Sequence, residues 1–296
     1  MSGDVSAIIV TYNSAWCIGR CLATLRARTQ GVAWEAVVVD NASSDATRDV
    51  VAREHPWARL VARQHNDGLS AAINDGVAVA TGDYLAVLNP DTHVDADVLT
   101  PLAAYLRAHA DAGVVAPKLL DDDGTLQLSC RAFPGYTTAL FNRYSIVTRL
   151  FPGNRLSRAY LLSDFDHTSE RDVDWVSGAA LMLPRRVFDE VGGWDPGFFM
   201  FNEDVDLCRR VHDAGYRVVY DPSTAVYHTI GVSKSASARM VVERHRSMWR
   251  YYRKHLRGGP LRDAATGAGI ALRCGVMLGM GALRRRRGGE QPPRRS

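Results

Sequence analysis

The sequence is poor in cysteine and lacks the loops with which several nucleotide-dependent enzymes bind phosphate. Its five cysteines among 296 residues form no Cys-x-x-Cys pair, which argues against a metal cluster or disulfide framework and favours a reducing, cytoplasmic setting. The Gly-x4-Gly-Lys-Ser/Thr loop of kinases does not occur, and the N-terminal region lacks the Gly-x-Gly-Thr-Arg-Leu loop of sugar nucleotidyltransferases. Kinase, dehydrogenase and nucleotidyltransferase functions are therefore disfavoured.

Outside the C-terminal tail, acidic residues balance the basic ones. The chain has a net charge of +4, but residues 284–296 hold six arginines and one glutamate, so the preceding part is nearly neutral. Such a confined tail is not the extended basic face that nucleic acid requires, and we expect no nucleic-acid partner. Asp4 stands where a signal peptide carries positive charge, and the apolar run after it is only as long as a strand. We therefore expect no secretory export.

Short apolar runs alternate with helix-length segments in the first half of the chain. The apolar runs are predicted strands and cover residues 6–11, 36–40, 60–62 and 84–88. The segments between them are predicted helices and cover about 14–29, 44–54 and 69–80. This alternation is typical of a parallel sheet covered on both faces. We predict an α/β fold with a doubly wound, mostly parallel sheet, and ligands beyond the carboxyl ends of its strands.

The second half of the chain has a less regular pattern. Residues 132–171 show no clear periodicity and are predicted to form an extended loop region. The other segments predict, in order, a helix near 96–109, ordered structure at 173–183, a helix at 203–214, and short strands at 216–220 and 224–228.

Two aspartates follow predicted strands and mark the expected ligand-binding edge. Asp40 ends the second strand, and Asp91 follows the fourth in the run Asn89-Pro90-Asp91. A carboxylate there can accept a hydrogen bond from a nucleobase or bind a cation that neutralises a diphosphate. A helix cap is an equally good interpretation of Asp40. Gly68, before a small-residue helix, permits a tight turn and by itself is more typical of an ordinary loop.

Three acids, Glu203, Asp204 and Asp206, open a predicted helix directly after an aromatic run. The helix dipole alone favours acids at this position, so capping is one interpretation. Aromatic burial would also raise the pKa of a carboxyl group towards the range of a general base, and we favour this function. His228 ends the last predicted strand. A lone histidine is more often structural, but a neutral imidazole there would suit a metal-bound diphosphate.

The C-terminal region is basic and apolar. Residues 240–256 form a predicted basic, aromatic helix, and residues 264–283 carry one charge, Arg273, ahead of four arginines at 284–287. Twenty residues match the length of a bilayer span. Five glycines and the central arginine instead favour a segment that lies in the cytoplasmic leaflet, with its arginines on anionic head groups. A loosely packed, solvated tail is the alternative.

Seven motifs occur in order along roughly residues 5–256. They are IIVTYNS (8–14), VVVDNASSD (37–45), NDGLSAAINDG (66–76), LNPD (88–91), VSGAALMLPR (176–185), GGWDPGFFMFNEDVDLCRR (192–210) and GYRVVYDPSTAVYH (215–228). With this order and spacing, the chain resembles glycosyltransferase family 2, in its rhamnosyltransferase-like branch with the GT-A fold. The resemblance implies a GT-A domain over 1–256, which divides into a donor-binding part at about 1–117 and an acceptor-binding and catalytic part at about 118–256. A basic, apolar tail that associates with membranes would follow at 257–296.

The resemblance also implies roles for individual residues. The donor-nucleotide contacts would be Thr11, Tyr12, Asn13, Asp40, Asn66, Gly68 and Asn89. The acceptor or sugar contacts would be Trp175, Ser177, Gly178, Trp194 and Glu203. Asp204 would be the catalytic base, and Asp91 and His228 would bind a divalent cation, Mg²⁺ or Mn²⁺. The cation motif departs from the family's Asp-x-Asp pattern, because Asn89 replaces the first acid and removes one negative charge.

The implied activity is that of an inverting glycosyltransferase with a nucleotide-sugar donor. The resemblance favours dTDP-L-rhamnose, and a UDP-sugar is the alternative. The acceptor would be a hydroxyl group of a polyprenyl-diphosphate-linked saccharide in cell-wall or surface-polysaccharide biosynthesis. The enzyme would then lie peripherally on the inner face of the cell membrane. A catalytically silent, membrane-tethered scaffold is a further alternative, disfavoured because Asp91 and Asp204 are both present.

Overall fold

The computed structural model describes residues 4–135, 162, 164–229 and 237–287, with side chains described as far as residue 283. Most of the extended loop predicted at 132–171 lies outside these residues. The chain forms two compact units, one comprising Met1–Phe199 with Glu203–Ile230 and the other Met200–Asn202 with Gly231–Ser296. The helix predicted from residue 240 lies in the second unit, whereas the resemblance implies that it belongs to a single domain over residues 1–256.

The first unit contains twelve strands and six helices within its described part. The strands β1 to β12 are Val5–Thr11, Trp34–Asp40, Arg59–Ala62, Tyr84–Leu88, Thr92–His93, Ala112–Leu120, Leu126–Gln127, Cys130–Arg131, Arg171–Asp172, Trp175–Val176, Ala180–Pro184 and Arg217–His228. The helices α1 to α6 are Ile18–Arg28, Thr47–Glu54, Leu69–Val79, Leu99–Ala108, Arg185–Val191 and Glu203–Asp213.

Ten of the described strands form one mixed sheet. Its order is β3-β2-β1-β4-β11-β6-β12-β5, with β7 paired to β6 and β9 to β12. Strands β3, β2, β1 and β4 are mutually parallel, as are β6 and β12, whereas β11 runs antiparallel between β4 and β6. Strands β8 and β10 form a separate antiparallel pair. The predicted α/β fold with helices and mostly parallel strands is confirmed.

Two apolar clusters hold helices against the two faces of the sheet. On one face, Ile18, Leu22 and Leu25 lie on one side of α1 at helical spacing and are at most 1% exposed. On the other face, Ile73 of α3 and Leu207 of α6 are equally buried. Burial of one such side chain contributes about 1.5–3 kcal/mol. This packing fixes the strands so that the carboxyl ends of β1, β2 and β4 lie along one edge.

The prediction of two short strands at 216–220 and 224–228 is wrong, because both belong to the single strand β12. The register of β12 against β6 shifts between Asp221 and Ala225, next to Pro222, which has no N–H to donate. After this irregularity the strand continues to His228, which pairs with Thr92 of β5. The continuation brings His228 beside the segment that follows β4.

The second unit contains α7 at Ala238–Tyr251, a π-helical turn at Tyr252–Leu256 and α8 at Pro260–Arg287. The predicted helix at 240–256 is therefore confirmed in outline, with its last turn widened. Inside this unit the Tyr252 hydroxyl donates to Asp263 at 2.7 Å. Helix α8 is, within the described chain, the one helix long and apolar enough to cross a membrane, over Pro260–Leu283. The predicted contact of the arginines at 284–287 with lipid falls on side chains outside the described residues.

Candidate active site

The ends of β1 and β2 bring two predicted nucleotide contacts together. Thr11 and Asp40 are paired in the parallel register, and the Thr11 hydroxyl donates to Asp40 Oδ1 at 3.1 Å. Asp40 is fully buried. Its other carboxylate oxygen accepts the N–H of Ser43 at 3.0 Å and pairs with Arg48 Nε at 2.5 Å. A buried carboxylate needs such compensation, and its partner Arg48 was not predicted from the sequence.

Two further predicted nucleotide residues extend this edge into solvent. Tyr12 is 52% exposed and presents an open aromatic ring. Asn13 adopts a positive φ of 54°, and its Oδ1 accepts the Ser44 N–H at 2.9 Å. The backbone of Asn13 is thus bent to hold the loop after β2, while the ring of Tyr12 stays free to stack on a planar ligand.

Asn66 and Gly68 form the turn before α3. Gly68 has a φ of 98°, and a Cβ atom there would lie 2.5 Å from the carbonyl oxygen of Phe199. Asn66 Oδ1 accepts the Gly68 N–H at 3.1 Å and the Asn41 side-chain N–H at 2.9 Å. Both residues therefore have a clear structural role, and only glycine fits position 68 without strain.

The segment after β4 and the end of β12 bring three predicted residues together. His228 Nε2 lies 3.3 Å from Asp91 Oδ1 and 3.3 Å from Asn89 Nδ2. No group of three or more His, Cys, Asp or Glu side chains forms a metal cluster among the described residues. One carboxylate and one imidazole fit a cation whose other ligands are diphosphate oxygens and water.

A glutamine that was not predicted contacts the other side of His228. Gln127 of β7 places its Oε1 3.0 Å from His228 Nδ1. Its amide nitrogen donates to the carbonyl oxygen of His228 at 2.7 Å and to Asp121 Oδ1 at 2.6 Å. The imidazole is therefore held on both of its nitrogen atoms.

Asp204 lies in the first turn of α6 with its carboxylate held by backbone. Its Oδ2 accepts the Gly178 N–H at 3.1 Å, and its Oδ1 accepts the Val205 N–H at 2.8 Å. These bonds and the charge of Arg131 oppose burial, which nevertheless leaves the pKa of Asp204 raised. Burial and the charge of Asp204 raise the pKa of Glu203 to about 8. Two backbone N–H groups bind the Asp204 carboxylate, whereas Glu203 Oε2 has no hydrogen-bond partner among the described residues. At neutral pH we therefore assign the negative charge to Asp204 and a proton to Glu203.

One pocket joins Asp204 to His228. Its empty volume is about 450 Å³ including open solvent, and its lining residues are Leu119, Gln127, Leu128, Ser129, Arg131, Trp175, Ser177, Asp204 and His228. The base predicted from the sequence and the histidine predicted as a metal ligand therefore line the same cavity.

The predicted sugar-side residues divide between this pocket and the core. Trp175 and Ser177 line the pocket, and Gly178 contributes its N–H to Asp204. Trp194 is instead 1% exposed and packs with Phe188 inside the core. Glu203, 7% exposed, is also buried, and its Oε2 has no hydrogen-bond partner among the described residues.

Arg131 is a second pocket residue that was not predicted. Its guanidinium lies 5.6 Å from the ring centre of Trp175, and its Nε has no hydrogen-bond partner in the part of the chain that the structure describes. Arg131 and Gln127 lie on two-residue strands, which are too short to show periodicity in a sequence. The pairing of β8 with β10 opposes Arg131 to Trp175, and only this tertiary contact identifies it.

A family model, Glycosyl transferase family 2, matches residues 6–165. The N-acetylglucosaminyl-diphospho-decaprenol L-rhamnosyltransferase of Mycobacterium tuberculosis is 28% identical over 310 residues, covering 97% of each chain. Rhamnosyltransferase WbbL of Escherichia coli K12 is 27% identical over 166 residues, which are 55% of this chain and 59% of that protein.

Solved structures share the fold. The mannosyltransferase PcManGT of Pyrobaculum calidifontis, in complex with GDP-Man and Mn²⁺, matches with a TM-score of 0.59 and 21% identity, over 99% of this chain and 77% of its own. GalNAc-T7, solved with UDP, GalNAc and Mn²⁺, matches with a TM-score of 0.60 and 17% identity, over 85% of this chain and 49% of its own. By its family model, fold and relatives, the chain belongs to glycosyl transferase family 2 and is a rhamnosyltransferase-like glycosyltransferase with the GT-A fold.

Proposed function

We propose that this glycosyltransferase moves L-rhamnose from dTDP-L-rhamnose to a hydroxyl group of a polyprenyl-diphosphate-linked saccharide. The observation that carries the proposal is that Asp204 and His228 line one pocket, in which Asp204 would act as the base and His228 would face the donor diphosphate. The Mycobacterium tuberculosis relative is an L-rhamnosyltransferase named for a diphospho-decaprenol substrate, and this similarity supports both the sugar and the acceptor class.

The donor nucleotide would lie along the ends of β1 and β2. Tyr12 offers an exposed ring for the base at this edge, and the buried, hydrogen-bonded pair of Thr11 and Asp40 holds the two strand ends together there. A divalent cation, Mg²⁺ or Mn²⁺, held between Asp91 and His228 would supply positive charge to the diphosphate leaving group. Asn89, within 3.3 Å of His228 Nε2, leaves the protein with a single carboxylate at this site, so diphosphate and cation should bind together.

The proposed reaction is a direct displacement. Asp204 accepts the proton of the acceptor hydroxyl, whose oxygen forms a bond to the anomeric carbon as the bond from that carbon to the diphosphate oxygen breaks. One displacement inverts the anomeric configuration. Because Gly178 and Val205 hold both carboxylate oxygens, Asp204 is oriented before the acceptor arrives, which reduces the reorganisation needed in the transition state.

The second unit supports a membrane-bound acceptor. Helix α8 carries apolar side chains in solvent, and these are Leu261, Leu272, Val276, Met280 and Leu283, each at least 51% exposed. Exposed apolar side chains at positions separated by one or three turns lie on one side of a helix. We propose that this side lies in the cytoplasmic membrane surface, so that the enzyme reaches its lipid-linked acceptor from the cytoplasm.

The test is release of nucleoside diphosphate by the full chain from a panel of nucleotide sugars, with Mg²⁺ or Mn²⁺, with and without membrane lipid extract. We expect release from dTDP-L-rhamnose that depends on the lipid and on the cation. Release from a UDP-sugar alone would replace the donor assignment. No release from any donor, with wild type and Asp204→Asn indistinguishable, would favour the scaffold alternative instead.

A further inference from the structure

We infer that Gln127 fixes the tautomer of His228, so that the imidazole Nε2 presents its lone pair to the cation site. Gln127 would thus be a positioning residue for a ligand of the diphosphate-bound cation. The inference rests on the proposed function only for the cation; the tautomer itself follows from contacts within the chain.

The orientation of the Gln127 amide is determined by its neighbours. The amide nitrogen lies 2.7 Å from the carbonyl oxygen of His228 and 2.6 Å from Asp121 Oδ1. Both partners are acceptors, so only the NH₂ group satisfies them. The flipped amide would place its oxygen against two other oxygens. Oε1 must therefore face His228 Nδ1, at 3.0 Å.

An oxygen at that position requires a proton on Nδ1. In the neutral imidazole, one nitrogen is a donor and the other an acceptor. With the proton on Nδ1, Nε2 is left with its lone pair, 3.3 Å from Asp91 Oδ1. Two acceptor atoms that face each other across this distance repel unless positive charge lies between them. A divalent cation meets this requirement, and Asn89 Nδ2, also 3.3 Å from Nε2, can donate to the same lone pair.

The hairpin that carries Gln127 is itself tied to the cation site. Strand β7 pairs with β6, with Gln127 opposite Leu119. Within the turn, Asp122 Oδ1 accepts the hydroxyl of Thr229 at 2.9 Å, and the N–H of Thr229 donates to the carbonyl oxygen of Asp91 at 2.9 Å. Through Thr229, which follows His228 in the chain, the turn is therefore linked to the backbone of both His228 and Asp91. Gln127 is held by the backbone pairing of β7 as well as by its side chain.

The test compares wild type with Gln127→Leu and the exposed control Gln30→Leu, each as the full chain labelled with ¹⁵N-histidine. The His228 signals are assigned with a His228→Gln variant. Spectra are recorded without metal at pH 9, above the ordinary imidazole pKa of about 6.5. We expect wild type and the control to show the Nδ1–H tautomer. Leucine cannot accept from Nδ1, so Gln127→Leu should show Nε2–H, bonded to Asp91.

The second readout is calorimetric binding of Mn²⁺ to the same proteins in the presence of dTDP. Loss of a group that orients a metal ligand typically weakens binding about 10–100-fold, and we expect this loss for Gln127→Leu but not for Gln30→Leu. An Nε2–H tautomer in wild type, or an unchanged tautomer in Gln127→Leu, would overturn the inference. Absence of Mn²⁺ binding by wild type would instead overturn the cation site of the proposed function, while the tautomer comparison still decides the role of Gln127.

Discussion

The backbone N–H of Gly178 donates to Asp204 Oδ2 at 3.1 Å, and this bond ties the loop after β10 to the first turn of α6. Position 178 is close to the carboxylate even without a side chain, because a Cβ there would lie 3.5 Å from Asp204 Cβ. Strand β10 and this loop place Trp175 and Ser177, respectively, in the pocket. The loop therefore sets both the direction of the base and part of the surface that an acceptor would contact.

Replacement of Arg131 by glutamine should change the pH dependence of turnover. The charge of Arg131 lowers the pKa of Asp204, against burial, which raises it. A general base must be ionised, so activity falls as the pH drops through this pKa. Without the positive charge the pKa rises, and the acidic limb of the pH–rate profile moves to higher pH. Steady-state rates from pH 5 to 9 measure the shift, with Arg107→Gln, a surface arginine paired with Asp4, as control.

Glu203→Gln should make stability less dependent on pH. The pKa of Glu203 is raised in the folded state to about 8, from an ordinary value of 4.5. Between these values the folded chain binds more protons than the unfolded chain, so this residue makes wild type less stable as the pH rises. Glutamine cannot ionise and removes that loss. Urea unfolding measures the free energy of unfolding at pH 6 and pH 9. The variant's free energy of unfolding should rise relative to that of wild type between pH 6 and pH 9. An equal difference at both pH values would contradict the protonated state of Glu203.

A pair of glycine substitutions separates backbone strain from a steric clash. Gly68→Ala introduces backbone strain, because φ is 98°, and also a steric clash, because the new Cβ would lie 2.5 Å from Phe199 O. Gly215→Ala introduces backbone strain alone, because φ is 89° and no atom lies within 4 Å of the new Cβ. A non-glycine residue held in a sparsely populated region at positive φ costs about 1–3 kcal/mol. We expect Gly215→Ala to lose about that much unfolding free energy and Gly68→Ala to lose clearly more. Equal losses in chemical denaturation would mean that the Phe199 contact relaxes freely.

Much of the fold could be predicted, and so could the position of several candidate-site residues, for a physical reason. Long buried strands such as β1, β2 and β4 show in the sequence as continuous apolar runs. Residues at or just after the ends of such strands, such as Asp40 on β2 and Asp91 after β4, can therefore be placed at the sheet edge at once. Gln127 and Arg131 lie on two-residue strands, whose position depends on tertiary pairing rather than on local pattern.

The same limit explains two other differences between sequence and structure. An aromatic residue in a motif looks the same whether it is open or buried, so Trp194, 1% exposed, could not be told from a sugar-binding surface. The irregularity at Pro222 resembles a break between two strands, although the ladder of β12 resumes at Ala225.

Membrane binding should depend on the exposed apolar side of α8. Leu272 is 71% exposed and Val276, one turn later, is 53% exposed. A glutamate at either position would place a charge against lipid, so Leu272→Glu with Val276→Glu should weaken co-sedimentation with phosphatidylglycerol vesicles. Gln30→Glu adds charge on an exposed loop residue and serves as control. Equal sedimentation of all three proteins would contradict the proposed role of this side of the helix.

The role of Asp204 as the base of glycosyl transfer is tested most directly by the rate of dTDP release from dTDP-L-rhamnose. Wild type and Asp204→Asn are compared with lipid acceptor present, and their affinities for dTDP are measured in parallel. Asp213→Asn, on the exposed end of the same helix and paired with Arg209, is the matched control. General-base assistance contributes about 10²–10⁴-fold, so we predict a loss of that size in Asp204→Asn, with dTDP affinity unchanged and the control fully active. Turnover by Asp204→Asn equal to that of wild type would contradict the role of Asp204 as the base.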